Sequence, residues 1–289
     1  MATELTATVP RTATRRAGRL ARLGWVAVAC AAFIVLVGAV AVLAPWIAPY
    51  DPNEVDVARA YEGPSSEHIL GTDSLGRDLL SRLMYGARLS LIGPALIVVI
   101  ATVAGTAVAI AAAWFGGWFD GVASRLLDIL FAFPGLIFAV LAVALFGPGL
   151  VAPVIALSIA YLPYDARILR SVALRERQLP YINACYVAGL PTRTITMRHL
   201  LPNIMPFVLV QATLSFGYAL VELAAVSYLG LGVAPPTAEW GLMVANGQAS
   251  ILSGHPQESL YAGLMIVATV VAFNVLGDRL ATRFSVKAQ

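Results

Sequence analysis

The sequence contains few charged residues: Asp, Glu, Lys and Arg make up only 12% of its 289 residues, against about 25% in soluble proteins. Hydrophobic residues account for 59%. Because a membrane-spanning helix needs about 20 apolar residues, the chain has room for about six spans and for no large soluble domain. The composition therefore predicts an all-α integral membrane protein.

Residues that serve in catalysis and metal binding are also scarce. The two cysteines, Cys30 and Cys185, predict neither a disulfide framework nor a thiolate metal site. The histidines His68, His199 and His255 have no metal-ligand spacing, and we expect each to be a solvated loop residue. The sequence has no Gly-x-x-x-x-Gly-Lys-Ser/Thr phosphate loop. We therefore expect a non-catalytic chain with no cofactor or metal of its own, and a net charge of only +3 does not suggest nucleic-acid binding.

Apolar runs predict where the chain crosses the membrane. They cover residues 23–48, 89–115, 126–146, 150–164, 204–231 and 260–280. The first run is too long for the core of a signal peptide, so we interpret it as a retained helix. The fourth run is shorter than a normal span, and a re-entrant segment is the alternative.

The distribution of basic residues decides between these alternatives. With six spans, one side of the membrane holds all of the 19 Lys and Arg residues except Arg59, Arg77, Arg82 and Arg88. The positive-inside tendency assigns that side to the cytoplasm. Without the fourth span, the arginines of residues 165–200 would lie outside, so we predict six spans with both termini inside.

The predicted organisation has five parts. Residues 1–22 form a cytoplasmic basic tail, and residues 23–48 the first transmembrane helix. An extracytoplasmic loop, residues 49–85, precedes a five-helix core, residues 86–280. That core contains a cytoplasmic loop at residues 165–203, and residues 281–289 form a cytoplasmic tail.

A short uncharged stretch lies inside the predicted cytoplasmic loop. Pro180 suits the first position of a helix, and Gly189 followed by Pro191 is a stop signal, so residues 181–188 should form a two-turn helix about 12 Å long. In water this helix would expose an apolar patch. Its members are Tyr181, Ile182, Cys185 and Tyr186. We expect the patch to dock into a groove on a soluble partner, and a plain connector is the alternative.

The same stretch resembles the cytoplasmic coupling loop of binding-protein-dependent ABC importer permeases. The motif of that loop is Glu-Ala-Ala, a spacer, Gly, a longer spacer, Ile or Leu, one residue and Pro. The matching positions are Asn183, Ala184, Cys185, Gly189, Leu200 and Pro202. Two of the first three residues depart from the motif, and the missing Glu removes a charged contact. The resemblance implies that these six residues, with Tyr181, Ile182 and Tyr186, couple the chain to an ATPase subunit.

Three other segments resemble the dipeptide and oligopeptide permeases within this family. They are HILGTDSLGRDLLSRLMYGARLSL at residues 68–91, YLGLGVAPPTAEWGLM at residues 228–243 and AFNVLGDRLATRF at residues 272–284. In the first of them, leucines at helical spacing alternate with polar residues over residues 75–83. This pattern predicts an amphipathic helix lying on the membrane surface.

The resemblance implies a six-helix permease of the type I ABC importer kind, with both termini inside, in a bacterial inner membrane. Its expected partners are a second homologous permease, two ATPase subunits that hold ATP and Mg, an extracytoplasmic solute-binding protein and membrane lipid. The implied solute is a dipeptide or oligopeptide, and nickel chelates, heme and glutathione are alternatives. A secondary transporter is the runner-up and would need intramembrane charges, for which only Asp128 and Glu222 qualify.

Glu222 is the only carboxylate that lies well inside a predicted span. An ionised Glu at this depth costs a few kcal/mol unless it faces protein or water. It should therefore point toward the second permease or toward the solute path. Three roles remain open from the sequence: a structural hydrogen bond to a partner helix, contact with a cationic group of the solute, and proton coupling. Asp128 lies one turn from Arg125, which predicts a surface pair.

Overall fold

The computed structural model describes residues 12–287, with side chains for residues 24–284. Of the two predicted tails, residues 1–11 and 288–289 lie outside the described part. Residues 12–22 of the predicted basic tail are already helical and continue the first transmembrane helix. Within the described residues all regular structure is helical, apart from one isolated bridge between Thr72 and Asp78.

The helices follow one another with short connections. In chain order they are α1 Thr12–Ile47, α2 Leu79–Phe115, α3 Gly117–Phe131, α4 Gly135–Phe146, α5 Val151–Arg177, α6 Pro180–Val187, α7 Thr192–Thr194, α8 Leu201–Tyr228, α9 Trp240–Asn246, α10 Gln248–Leu252 and α11 Gln257–Lys287. A 3-10 turn covers Val57–Arg59, and a π-helical segment, Ile195–Leu200, joins α7 to α8.

Five of the described helical segments are long and apolar enough to cross a membrane, and the pair α3 and α4 makes a sixth span if the two are counted together. This pair is bent by 79°. The prediction of a continuous third span at residues 126–146 was therefore wrong. Pro134 precedes α4, where it lacks an amide hydrogen and disfavours helical backbone at Phe133.

The fourth span is one continuous helix, α5, which runs on to Arg177. The re-entrant alternative is thereby excluded, and the cytoplasmic loop predicted at residues 165–203 begins later than expected. Asp165, expected to be its first residue, lies inside α5 and is fully buried.

The prediction of a surface helix at residues 75–83 was also wrong. Residues 71–78 form a loop, and α2 begins at Leu79, where the Asp78 carboxylate accepts a hydrogen bond from the Ser81 amide at 2.7 Å. Polar side chains of this segment are buried and most have hydrogen-bond partners, although Nε and Nη2 of Arg82 have none among the described residues. Arg77 donates to Asp73 at 2.6 Å, and the fully buried Arg82 donates to the Pro52 carbonyl at 2.9 Å.

His68 is another correction, since it is buried and not solvated. Its Nδ1 atom lies 3.0 Å from Asp78 Oδ1, so the two side chains share a hydrogen bond. His199 and His255 are half-buried, and the ring of His255 stacks on Tyr61 with centroids 4.4 Å apart. The segment between α1 and α2, residues 48–78, contains seven Asp and Glu residues and is called the acidic loop. These contacts pack it onto the helix ends.

Three apolar clusters hold the helices together. The first joins α2, α4, α5 and α8 around Ile97, Leu157 and Leu220. The second lies under α6 and joins it to α2, α5 and α8. The third joins α1, α2, α9 and α11 around the fully buried Trp240, whose indole nitrogen donates to the Leu83 carbonyl at 3.0 Å.

Candidate functional site

The short helix α6 forms where the sequence predicted it, with bounds one residue earlier at each end. Pro180 occupies its first turn, where a missing amide hydrogen costs nothing. The helix ends at Val187, and Gly189 follows it with a φ of +73°, a conformation that favours glycine. The amide of Leu190 then donates to the Cys185 carbonyl at 3.1 Å and closes the turn.

One face of α6 is covered by the chain itself. Ile182 is fully buried in the second apolar cluster, which includes Trp114 from α2 and Leu169 from α5. Tyr181 and Cys185 pack half-buried against the same cluster. The expectation that these residues form a patch awaiting a partner was therefore wrong at Ile182, because its side chain is already inside the fold.

Leu200 requires the same correction. It is 1% exposed, within the cluster that supports α6, so its side chain cannot contact another protein. Pro202, the last position of the motif, is exposed. Leu200 thus holds the loop in place, whereas Pro202 lies on its surface.

The outer face of α6, defined by Asn183, Ala184, Tyr186 and Val187, is exposed. Val187 is 91% exposed and Tyr186 is 46% exposed, although the Tyr186 ring also stacks on Trp114 with centroids 5.5 Å apart. A rigid apolar tip of this kind, next to an uncharged Asn183, suits contact with another protein.

Tyr181 connects α6 to both neighbouring long helices. Its hydroxyl donates to Glu176 at the end of α5 at 2.7 Å and accepts from the Asn203 amide in α8 at 2.8 Å. Burial raises the pKa of Tyr181 to about 12, so the phenol stays protonated at neutral pH. Motion of α6 would therefore pull on α5 and α8 together.

A second polar feature lies where α8 passes the break between α3 and α4. A Cβ atom added to Gly135 would lie 3.1 Å from Glu222 Oε2, so the carboxylate sits directly at the beginning of α4. Glu222 Oε2 is buried, yet within the described residues it has no hydrogen-bond partner. The hydroxyl of Tyr161 of α5 is the hydrogen-bonding group that faces the carboxylate, although Oε2 itself stays without a partner in the described part of the chain.

Glu222 borders a cavity of about 540 Å³ between α3, α5, α8 and α11, which we call the Glu222 pocket. Its aromatic wall consists of Phe131, Tyr161, Tyr164 and Tyr218, and Gly217 and Val270 contribute to the remainder. The pocket is open on one side, where Tyr218 is 59% exposed. The sequence located Glu222 but gave no indication of this wall, because its residues come from three separate runs.

Asp165 is a buried carboxylate that sequence reasoning missed. Thr102 of α2 donates to it at 2.8 Å, and Gln211 and Ser215 of α8 donate at 3.0 and 3.2 Å. Within residues 24–284 no basic side chain forms an ion pair with it. It was overlooked because a charged residue was taken as the end of an apolar run.

Asp128, the other expected intramembrane carboxylate, lies on the surface. Its partner is Arg167 of α5 at 2.6 Å, and not Arg125 as predicted. Asp120 similarly pairs with Arg170 of α5. These two ion pairs join α3 to α5 at the surface of the chain.

Comparison with known proteins gives consistent matches along most of the chain. Residues 101–288 match the family described as binding-protein-dependent transport system inner membrane component. Residues 24–64 match the N-terminal TM domain of oligopeptide transport permease C.

Similar proteins include two described as glutathione transport system permease protein GsiD. The chain is 39% identical to that of Pectobacterium atrosepticum over 256 residues, which cover 88% of this chain and 85% of the relative. It is 38% identical to that of Escherichia coli over 255 residues, which cover 88% and 84%. Among solved structures, a chain of the MetNI methionine ABC transporter in an inward-facing conformation matches with a TM-score of 0.58 at 19% identity, covering 71% of this chain and 97% of that chain.

Proposed function

Since the chain belongs to the inner-membrane components of binding-protein-dependent transport systems, we propose that its α6 is the element through which an ATPase drives it. The membership confirms the resemblance to the oligopeptide-type permeases, the helical type I permease fold and the bacterial inner-membrane location. It also sets aside the secondary-transporter alternative. The remaining questions are how energy enters this subunit and which solute it moves.

The observation that carries the proposal is the two-sidedness of α6. Ile182 is fully buried in this chain's own core, whereas Val187 is 91% exposed. One face of this helix is fixed in the core and the other is free to contact a partner. A displacement caused by that partner would therefore be transmitted to the rest of the chain. The hydrogen bonds of Tyr181 to Glu176 and Asn203 would transmit the displacement of α6 to α5 and α8. Both of these helices border the Glu222 pocket.

The proposed assembly contains this chain, a second homologous permease, two ATPase subunits and an extracytoplasmic solute-binding protein. ATP and Mg belong to the ATPase subunits. ATP binding would bring the ATPases together and displace α6, and the spans would then switch between inward-open and outward-open arrangements. The subunit itself performs no chemical step.

We propose a small peptide as the solute, with glutathione the first compound to test. Two observations support this choice: relatives at 38–39% identity are described as glutathione transport permeases, and residues 24–64 match a domain of an oligopeptide permease. Glutathione is itself a tripeptide, so the two descriptions agree on the solute class. The sequence-based expectation of a peptide solute is therefore kept as part of the proposal, with glutathione as its first candidate.

Cross-linking tests the role of α6. In a chain with Cys30 and Cys185 replaced by Ser, Ala184→Cys and Val187→Cys should cross-link to the ATPase subunit purified with the chain, because both positions are exposed on α6. Val57→Cys, 67% exposed in the acidic loop, is the control. Cross-links at Val57→Cys alone, or none at α6, would show that α6 is only a connector.

A further inference from the structure

The Glu222 pocket presents one carboxylate inside an aromatic wall, and the carboxylate is incompletely satisfied. Oε2 of Glu222 is buried without a hydrogen-bond partner among the described residues. A buried acceptor without a partner is destabilising. Within the chain the Tyr161 hydroxyl is the hydrogen-bonding partner of the carboxylate, so a second donor, to Oε2, is explained most simply by a group that arrives from outside this chain.

The wall indicates which kind of donor fits. Phe131, Tyr161, Tyr164 and Tyr218 line the cavity together with Glu222. The Phe131 ring already has the Arg167 guanidinium 4.9 Å from its centroid, so the rings of the three tyrosines are the ones that would attract a solute cation. A carboxylate forms charge-assisted hydrogen bonds with a cation. Together they match a primary ammonium group, which has three donors and one positive charge. An anionic group would meet the Glu222 charge, and a neutral aliphatic group would leave Oε2 unpaired.

The pocket also lies at a place where the helices are interrupted. The bend of 79° between α3 and α4 occurs beside Glu222, which lies against Gly135 at the beginning of α4. In transporters, interrupted helices near the middle of the membrane border solute sites, because loose backbone there can only face protein or a water-filled cavity. Acidic side chains inside membrane spans commonly mark pathways, because a charge there must face protein or water.

We propose that the Glu222 pocket is a solute subsite that binds the ammonium group of a peptide-class solute during its passage. This inference rests on the proposed function, since it requires that a peptide is moved. Glu222 provides the charge and hydrogen-bond acceptor, and the tyrosine and phenylalanine rings provide the walls. The pocket of about 540 Å³ has space for one amino-acid residue of the solute.

The test uses charge restoration in the full importer, in the bacterium that makes it. In the chain with Cys30 and Cys185 replaced by Ser, Glu222→Cys should lower uptake of radiolabelled glutathione by about tenfold or more. Labelling with anionic 2-sulfonatoethyl methanethiosulfonate should restore uptake at least in part. Labelling with the cationic 2-(trimethylammonium)ethyl reagent should not.

Labelling of Glu222→Cys with the uncharged reagent methyl methanethiosulfonate is the matched control, because it adds bulk at the same position without charge. It should not restore uptake, which separates the effect of bulk from the effect of charge. Uptake by Glu222→Gln at the unmodified rate, or equal restoration by the anionic and cationic reagents at position 222, would overturn the subsite. Loss of the second permease from purified Glu222→Gln complexes would overturn it too, by assigning the carboxylate to a basic residue of that subunit.

The unmodified importer distinguishes this proposal from the proposed function. If it takes up neither glutathione nor radiolabelled dialanine, the solute class is wrong, and the ammonium subsite falls with it. If it takes up either solute and Glu222→Gln does so equally well, only the subsite is wrong. Normal uptake together with a charge-dependent defect supports both.

Discussion

At the scale of single residues, the fold depends on polar side chains that are buried with their partners. Asp165 is the clearest case, because Thr102, Gln211 and Ser215 all direct donors at its two oxygens. Both oxygens of the Asp165 carboxylate accept hydrogen bonds. In an asparagine one of these oxygens would be replaced by an NH2 group, which would face the neighbouring donor groups.

Asp165→Asn should therefore destabilise the purified protein by about 1–3 kcal/mol, since at least one buried donor loses its acceptor. Asp128→Asn is the control, because Asp128 forms an ion pair that is about half exposed, and such pairs contribute only about 0–1 kcal/mol. Thermal unfolding in detergent measures both. A change at Asp165 no larger than that at Asp128 would contradict the assigned network.

The residue scale also shows where sequence reasoning was sufficient. Pro180 and Gly189 predicted α6 to within one residue, because helix start and stop signals are local. Asp165 was misplaced, since hydropathy alone treats a charge as the end of a span. The burial of Ile182 could not be predicted either, because it depends on residues such as Trp114 that are far away in sequence.

At the scale of elements, the break between α3 and α4 is the main departure from a regular bundle. Hydropathy missed it because the run stays apolar through the turn at residues 132–134. The break matters because it brings the beginning of α4 against Glu222 of α8. The position of one helix end thus determines the environment of a carboxylate on another helix.

Gly135→Ala should lower solute uptake several-fold without lowering stability. Alanine favours helix over glycine by about 1 kcal/mol, but the new Cβ would lie 3.1 Å from Glu222 Oε2 and displace the carboxylate. Gly121→Ala in α3 has nothing within 4 Å of its added Cβ, so it should leave uptake unchanged. Solute uptake and thermal unfolding are measured for both variants. Equal uptake by Gly135→Ala and Gly121→Ala would show that the carboxylate of Glu222 moves aside freely.

At the scale of the whole molecule, the apolar runs predicted the number of spans, and the basic residues predicted how the chain is oriented. In the described residues five helices are long and apolar enough to span, and the number reaches the predicted six when the bent pair of α3 and α4 is counted as one span. The orientation remains a prediction. It assigns the acidic loop and α6 to opposite sides.

Cysteine accessibility checks this orientation with the positions used for cross-linking. On intact cells, an impermeant maleimide should label Val57→Cys, which is 67% exposed, and should leave Val187→Cys, 91% exposed, unlabelled. Permeabilisation should make Val187→Cys reactive, which controls for a site that is blocked by a partner. Labelling of Val187→Cys from outside would reverse the topology.

The pairing of charges in the acidic loop bears on how the chain enters the membrane during synthesis. Arg59 is paired with Asp56 and Glu67, Arg77 is paired with Asp73, and the nearest carboxylate oxygen to Arg82 also belongs to Asp73 at 3.6 Å. In the proposed orientation these arginines are among the few basic residues that must be translocated. Residues 51–82, which contain these three arginines, also contain seven Asp and Glu residues, so the insertion machinery exports a segment in which acidic residues outnumber basic ones.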